Sequence, residues 1–195
     1  MSVNLHYEDK ARSAGFSSVC GVDEAGAGPL MGPVYAAAVI LPEDYDLPEL
    51  NDSKKLTEKK REMLFPLIKE RAIAWSVAWV EASEIDATDI LSARMKAMQM
   101  AIDGLSVTSD MALIDGNRDK GHSAAISTAH RCIVGGDGKS ASIAAASVLA
   151  KVSRDHYVTE VLDKAYPQYQ FAKHKGYGTK LHYEMLDKYG PCPEH

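Results

Sequence analysis

Asp23 and Glu24 stand side by side at the end of an apolar run, and Gly26-Ala27-Gly28-Pro29-Leu30-Met31-Gly32-Pro33 follows them almost at once. Neighbouring side chains of an extended strand point to opposite faces, so these two carboxylates share a site only if the backbone leaves extended geometry there. The glycines permit that departure. Read alone, the pair also fits an acidic, Gly-rich hairpin tip, which for two acids by themselves is the plainer reading. Asp115 has a similar placement, ending the apolar run Met111 to Asp115 and entering the turn Asp115-Gly116-Asn117. Two nucleotide-binding readings fail on spacing. A dinucleotide fingerprint needs a third Gly three residues after Gly28 and a helix opening there, but Pro29 follows, the next Gly is Gly32, and the continuation is strand-like. Gly138-Lys139-Ser140 ends like a phosphate loop, yet that motif needs Gly where Ile133 stands.

The elements that must position these residues follow from hydrophobic period. Phe16 to Val22 and Val34 to Leu41, apolar and bounded by Gly and Pro, predict strands on either side of the glycine segment. Thr57 caps a helix predicted through about Ala72, with Glu58 near its positive end and a kink or break at Pro66. Ile73 to Val80 alternates Ile73, Trp75, Val77 and Trp79 with smaller residues and predicts a strand with one bulky face. Ser83 to Asp89 is polar and acidic. Leu91, Met95, Met98, Ile102 and Leu105 then recur at helical spacing over Ile90 to Leu105, the methionines reading as core packing. Met111 to Asp115 and Arg131 to Val134 are two further strands, joined by a polar connection from Asp119 to Ala129. Ser142 to about Tyr166 reads as one long helix, its Ala-rich first half suited to close packing on a sheet, with Pro167 beyond its end. The tail, Phe171 to His195, is basic and Tyr-rich, with another helix over Lys180 to Lys188. This order of elements predicts an α/β fold with a mixed sheet, and residues 1–195 without repeat or linker predict a single domain.

Composition narrows the class. At 46% apolar and 25% charged residues the chain reads as a soluble globular protein, and no run reaches the roughly 18 apolar residues of a membrane helix. Met1 to Lys10 is polar and mixed in charge, unlike a signal peptide. Cys20, Cys132 and Cys192 are widely spaced; Cys20 and Cys132 sit in apolar runs and read as buried reduced thiols, not zinc ligands, which points to the cytoplasm. A net charge of -5 argues against a general nucleic-acid coat, although a local basic face can still track phosphates.

Taken together, the motifs resemble the type 2 ribonuclease H family, ribonuclease HII in bacteria. Its opening pattern, Asp-Glu-Ala-Gly-Arg-Gly-Pro-Leu-Ala-Gly-Pro-Val, aligns with Asp23 to Val34, with Ala27 in place of Arg. Asp52-Ser53-Lys54-Lys55-Leu56, Ile114-Asp115-Gly116-Asn117, Gly136-Asp137 with Lys139-Ser140, Ser142 to Ala150 with Lys151 and Arg154-Asp155, and His174-Lys175-Gly176-Tyr177-Gly178-Thr179 are similar to further family blocks in the same order. The resemblance covers nearly the whole chain.

What it implies is specific. The fold expected is a ribonuclease H-like mixed sheet flanked by helices, with a C-terminal helical region. Four acids of the family's metal site fall on Asp23, Glu24, Asp115 and Asp137. Two carboxylates about 4 Å apart repel by roughly 4 kcal/mol at an effective dielectric of 20, so such a cluster needs cations or protons. Oxygen ligands with room for water suit Mg²⁺ or Mn²⁺, with two ions expected during catalysis. Asp155 competes for the fourth ligand position, its plainer reading being an ion pair with Lys151 at four-residue spacing. The family hydrolyses the phosphodiester on the 5′ side of ribonucleotides in RNA/DNA hybrids and at single ribonucleotides embedded in duplex DNA, leaving 3′-hydroxyl and 5′-phosphate ends. That chemistry belongs to ribonucleotide excision repair. Sensing of the 2′-hydroxyl falls to Gly26, Ala27 and Gly28 and to the junction-sensing Tyr177. Lys54 and Lys175 are the first candidates for phosphate contacts, with Lys55, Lys139, Lys173 and Lys180 behind them. His174 is expected to organise its loop. Ala27 removes a charge-assisted contact worth about 1.5 to 3 kcal/mol, and Gly135, where Lys is common, removes another. No clear sliding-clamp-binding peptide is present, and a monomer is expected. Two rivals stand: a hybrid-binding module with impaired catalysis, favoured by Ala27, and a ribonuclease HIII-like enzyme preferring longer RNA tracts, whose usual added N-terminal domain has little room before Val22.

Overall fold

The computed structural model describes residues 3–195. Five strands form one sheet in the order β3-β2-β1-β4-β5. β1 (Val19–Ala25) lies at its centre, antiparallel to β2 (Val34–Ile40) and parallel to β4 (Met111–Asp115). β3 (Ala74–Val80) extends the antiparallel side, and β5 (His130–Ile133) extends the parallel side.

Alternation along the strands sets the two faces. Cys20 and Val22 of β1 and Ala36, Ala38 and Ile40 of β2 pack with Met95, Met98 and Ile102 of α4 (Ile90–Asp103). Ala37 and Val39 point the other way, onto Leu64 and Ile68 of α2 (Glu58–Arg71) and Ala145, Val148 and Leu149 of α5 (Ala141–Tyr157). β2 is buried along its whole length. Alanines on both partners let α5 settle close to the sheet, and Gly21 marks the tightest approach: a Cβ there would lie 2.2 Å from the backbone nitrogen of Ile143. Two short helices, α1 (His6–Ser13) and α3 (Ala82–Ala87), lie before β1 and after β3. Beyond α5 lie α6 (Asp163–Ala165), α7 (Phe171–His174) and α8 (Lys180–Tyr189), with a 3-10 turn over Pro167–Tyr169 between the first two. Met31, Val158, Leu162, Tyr169 and Phe171 form the core of that C-terminal region.

Several sequence expectations need correction. The first strand begins at Val19 and not Phe16, and it carries Asp23 and Glu24 inside its pairing, opposite Ala37 and Ala36. The backbone leaves extended geometry only at Gly26, with φ of 110°. α2 runs unbroken through Pro66, which is exposed, as is Glu62, whose carbonyl the ring leaves without its intrahelical donor. The long helix over Ser142 to Tyr166 is instead α5, a wide π turn over Val158–Leu162, and α6. Thr159 Oγ1 donates to the Asp155 carbonyl at 2.7 Å, a competing bond of the kind that disturbs a helical ladder. Two segments read only as polar are helical, Ala82–Ala87 in α3 and His6–Ser13 in α1. Cys20 is buried, whereas Cys132 on the edge strand is only half-buried; both are free thiols.

Candidate active site

β1 and β4 run side by side in the same direction, Val22 opposite Ile114, so Asp23 and Asp115 emerge together at one end of the sheet. After β5 the chain turns at Gly135 into the tight turn Gly136–Gly138. Asp115 Oδ1 accepts from the backbone nitrogens of Gly136 at 2.7 Å and Asp137 at 3.3 Å. One acid thereby folds the loop that carries the next. Carboxylate oxygens of Asp23, Asp115 and Asp137 all lie within 4.8 Å of one another, Asp23 and Asp137 buried and Asp115 half-buried.

Strand alternation sends Glu24 to the other face of β1. There Arg94 of α4 reaches Glu24 Oε1 at 2.6 Å, while Glu24 Oε2 is buried without a hydrogen-bond partner. Lys54 Nζ lies 3.4 Å from Asp137 Oδ2, and Asp52 holds the Lys54 backbone nitrogen at 2.8 Å. Burial, then repulsion by Glu24 and Asp115, pushes the Asp23 carboxyl well above its ordinary pKa. Asp137 is raised by burial and by Asp115 and Asp52. Glu24 is raised by burial despite Arg94. For Lys54, burial acts to lower the ammonium's pKa, but attraction to Asp137, Asp23, Asp52 and Asp115 outweighs it and the net shift is upward. The donors of the cluster are all oxygen, they repel one another, and an orphaned carboxylate oxygen lies nearby. That set fits a hard divalent cation such as Mg²⁺ or Mn²⁺.

A cavity of about 250 Å³ opens over the cluster, lined by Asp23, Glu24, Gly26, Ala27, Gly28, Ser53, Lys54, Asp115, Lys151 and Tyr177. Gly28 faces the Tyr177 ring, which would stand 3.8 Å from a Cβ at that position. Lys151 Nζ lies 5.3 Å from the centre of the same ring and 2.8 Å from Asp155 Oδ1. Asp155 is thus an ion-pair partner outside the three-aspartate cluster. Lys175, expected at phosphate, does not line the cavity: its ammonium donates to Thr159 Oγ1 at 2.6 Å. His174 does organise its loop, bonding the Tyr169 carbonyl through Nε2 at 3.0 Å and accepting from the Gly176 nitrogen at 3.3 Å.

Arg154 joins the two loops at the cavity rim. Fully buried on α5, it donates to the carbonyls of Met31 at 2.9 Å and Pro33 at 3.2 Å in the glycine segment and of Lys175 at 3.0 Å in the Tyr177 loop. Gly26 must be glycine beside it, since a Cβ would come within 2.6 Å of Arg154 Nε. Sequence reasoning noted Arg154 only as part of a motif and missed Arg94. Each signalled itself faintly: Arg94 lies four residues before Met98 on the apolar stripe, and Arg154 lies four after the buried Ala150.

Comparison with known proteins identifies the family and the fold. The profile of the Ribonuclease HII family matches residues 20–195. Ribonuclease HII of Idiomarina loihiensis is 53% identical over 177 residues, 91% of this chain and 92% of that one. Among solved structures, ribonuclease H2 from Pyrococcus horikoshii superposes with a TM-score of 0.73 at 25% identity, covering 91% of this chain and 90% of the other. Bst-RNase HIII, solved in complex with Mn²⁺, shares the fold at 17% identity and a TM-score of 0.60, covering 91% and 72%. The mixed sheet with its flanking helices is therefore ribonuclease H-like. By profile and by identity across most of its length, the chain belongs to the ribonuclease HII family, and it is a ribonuclease H-type endonuclease.

Proposed function

We propose that this single-domain enzyme hydrolyses the phosphodiester on the 5′ side of ribonucleotides, both in RNA/DNA hybrids and at single ribonucleotides embedded in duplex DNA. The convergence of Asp23, Asp115 and Asp137 within 4.8 Å, beneath a rim of Gly26, Ala27, Gly28 and Tyr177, carries this reading. Asp23, Asp115 and Asp137 would hold divalent cations, and Glu24, on the other face of β1 but lining the same cavity at the strand end, would add a further oxygen. With Mg²⁺ or Mn²⁺ held there, the site would have the positive charge needed to activate a water and stabilise the leaving 3′-oxygen. The chain's own groups do the rest. Lys54 offsets the acidic charge of the cluster and meets the phosphate. The glycine segment brings main-chain groups to the 2′-hydroxyl, the one local mark of a ribonucleotide. Tyr177 packs on the sugar and is kept in place by Gly28 and the Lys151 ammonium.

The test is a DNA duplex carrying one ribonucleotide, incubated with Mg²⁺ or Mn²⁺ and mapped at nucleotide resolution. A cut on the 5′ side, lost in Asp23→Asn, is expected. Cutting confined to an all-RNA/DNA hybrid would favour tract preference of the ribonuclease HIII kind. Ala27 favours one second reading, a hybrid-binding protein without turnover, and any cleavage with Mn²⁺ excludes it.

A further inference from the structure

Glu8 on α1 is 1% exposed, yet it makes no ion pair among the described residues. Its Oε1 accepts from Ser140 Oγ at 2.5 Å, from the Ser142 backbone nitrogen at 3.0 Å and from Ser142 Oγ. Its Oε2 is buried with no hydrogen-bond partner. A carboxylate kept at such cost sits where it accepts the unpaired donors at the start of α5 and complements the positive end of that helix. Asn4 stitches the same place from the main chain, donating to the Lys139 carbonyl at 3.2 Å and accepting from the Ala141 nitrogen at 2.9 Å. Ser140 in turn donates its backbone nitrogen to Gly136 O at 2.8 Å, closing the turn whose middle residue is Asp137.

We propose that Glu8 is a positioning residue for Asp137: by fixing Ser140 and Ser142, it sets the turn that aims this carboxylate into the acidic cluster. The proposal rests on the metal reading above. Glu8 touches no substrate and no reacting atom; its effect passes through the Gly136–Ser140 turn.

The test is Mn²⁺ binding to the full chain, followed by the loss of the free-ion signal in electron paramagnetic resonance. Glu8→Leu is expected to weaken binding roughly tenfold, the lower end of what outer partners of a metal site contribute. Glu8→Gln is expected to retain near wild-type binding, because its amide oxygen keeps an acceptor facing Ser140 and Ser142. In an Asp137→Asn background, Glu8→Leu is expected to change nothing further. Wild-type affinity in a folded Glu8→Leu protein, or equal weakening with and without Asp137, would overturn the proposal. If Glu8→Leu does not fold, Ser142→Ala removes one donor and leaves the backbone in place; weaker binding supports the proposal and unchanged binding overturns it. Absence of Mn²⁺ binding by the wild-type chain is a different result, since it sinks the metal reading itself.

Discussion

At the scale of single residues, the acidic cluster works against the fold that holds it. Asp23, Glu24 and Asp137 have folded-state pKa values above their unfolded ones, so between those values the folded chain binds more protons than the unfolded chain. Without metal, stability should therefore fall as pH rises above the ordinary carboxylate pKa of about 4 and through the raised folded-state values. Asp23→Asn should flatten that dependence and raise the midpoint of thermal unfolding in EDTA, each 1 kcal/mol being worth about 2–4 °C in a chain of this size, while abolishing cleavage. A midpoint that is unchanged or lower in the variant would contradict this account. Ala27 lines the cavity beside Gly26 and Gly28, where the motif resemblance leads us to expect Arg. Ala27→Arg should raise kcat/KM roughly ten- to hundredfold in steady-state cleavage, the equivalent of one charge-assisted hydrogen bond. Much of this scale was legible in the sequence, because a motif names residue types and a Gly-rich neighbourhood announces close approach. What the motif did not reveal is the parity of the strand. Asp23 and Glu24 remain in extended pairing, so they approach the site from opposite faces, Glu24 in the grip of Arg94.

At the scale of elements, the contact between α5 and β1 governs the geometry. Gly21→Ala would drive a methyl group into the backbone of Ser142 and Ile143, where no side-chain rotation relieves it. Urea unfolding should show a loss of about 3 kcal/mol or more. A milder loss would mean that α5 can shift along the sheet. Period revealed the main strands and the core-facing helix α4 because their burial is simple, one stripe or one alternation. It failed where local bonds override period. α1 carries mostly polar residues, and the bond from Thr159 to the Asp155 carbonyl accompanies a wide turn where an uninterrupted helix was expected. Nor does spacing alone reveal that Asp115 folds the Asp137 loop, since that contact crosses 21 residues of chain.

At the scale of the whole molecule, a net charge of -5 must bind a polyanion. Long-range attraction cannot supply the affinity, so binding depends on a few cations placed close to phosphate. Lys54→Ala should then weaken substrate binding at low salt and reduce the slope of log affinity against log salt by about 1, the signature of one lost phosphate contact. An unchanged slope would place Lys54 in the service of the acids alone. Among the described residues, no helix is long and apolar enough to cross a membrane. Arg154 has a further consequence for how such a surface tolerates change. It grips only main-chain oxygens, those of Met31, Pro33 and Lys175, and is blind to the side chains attached. The grip thus sets the relative position of the two rim loops without reading their side chains, while Gly26 and Gly176, where a Cβ would clash, stay fixed in composition. Deleting a single residue from either would move the oxygens out of register and release both.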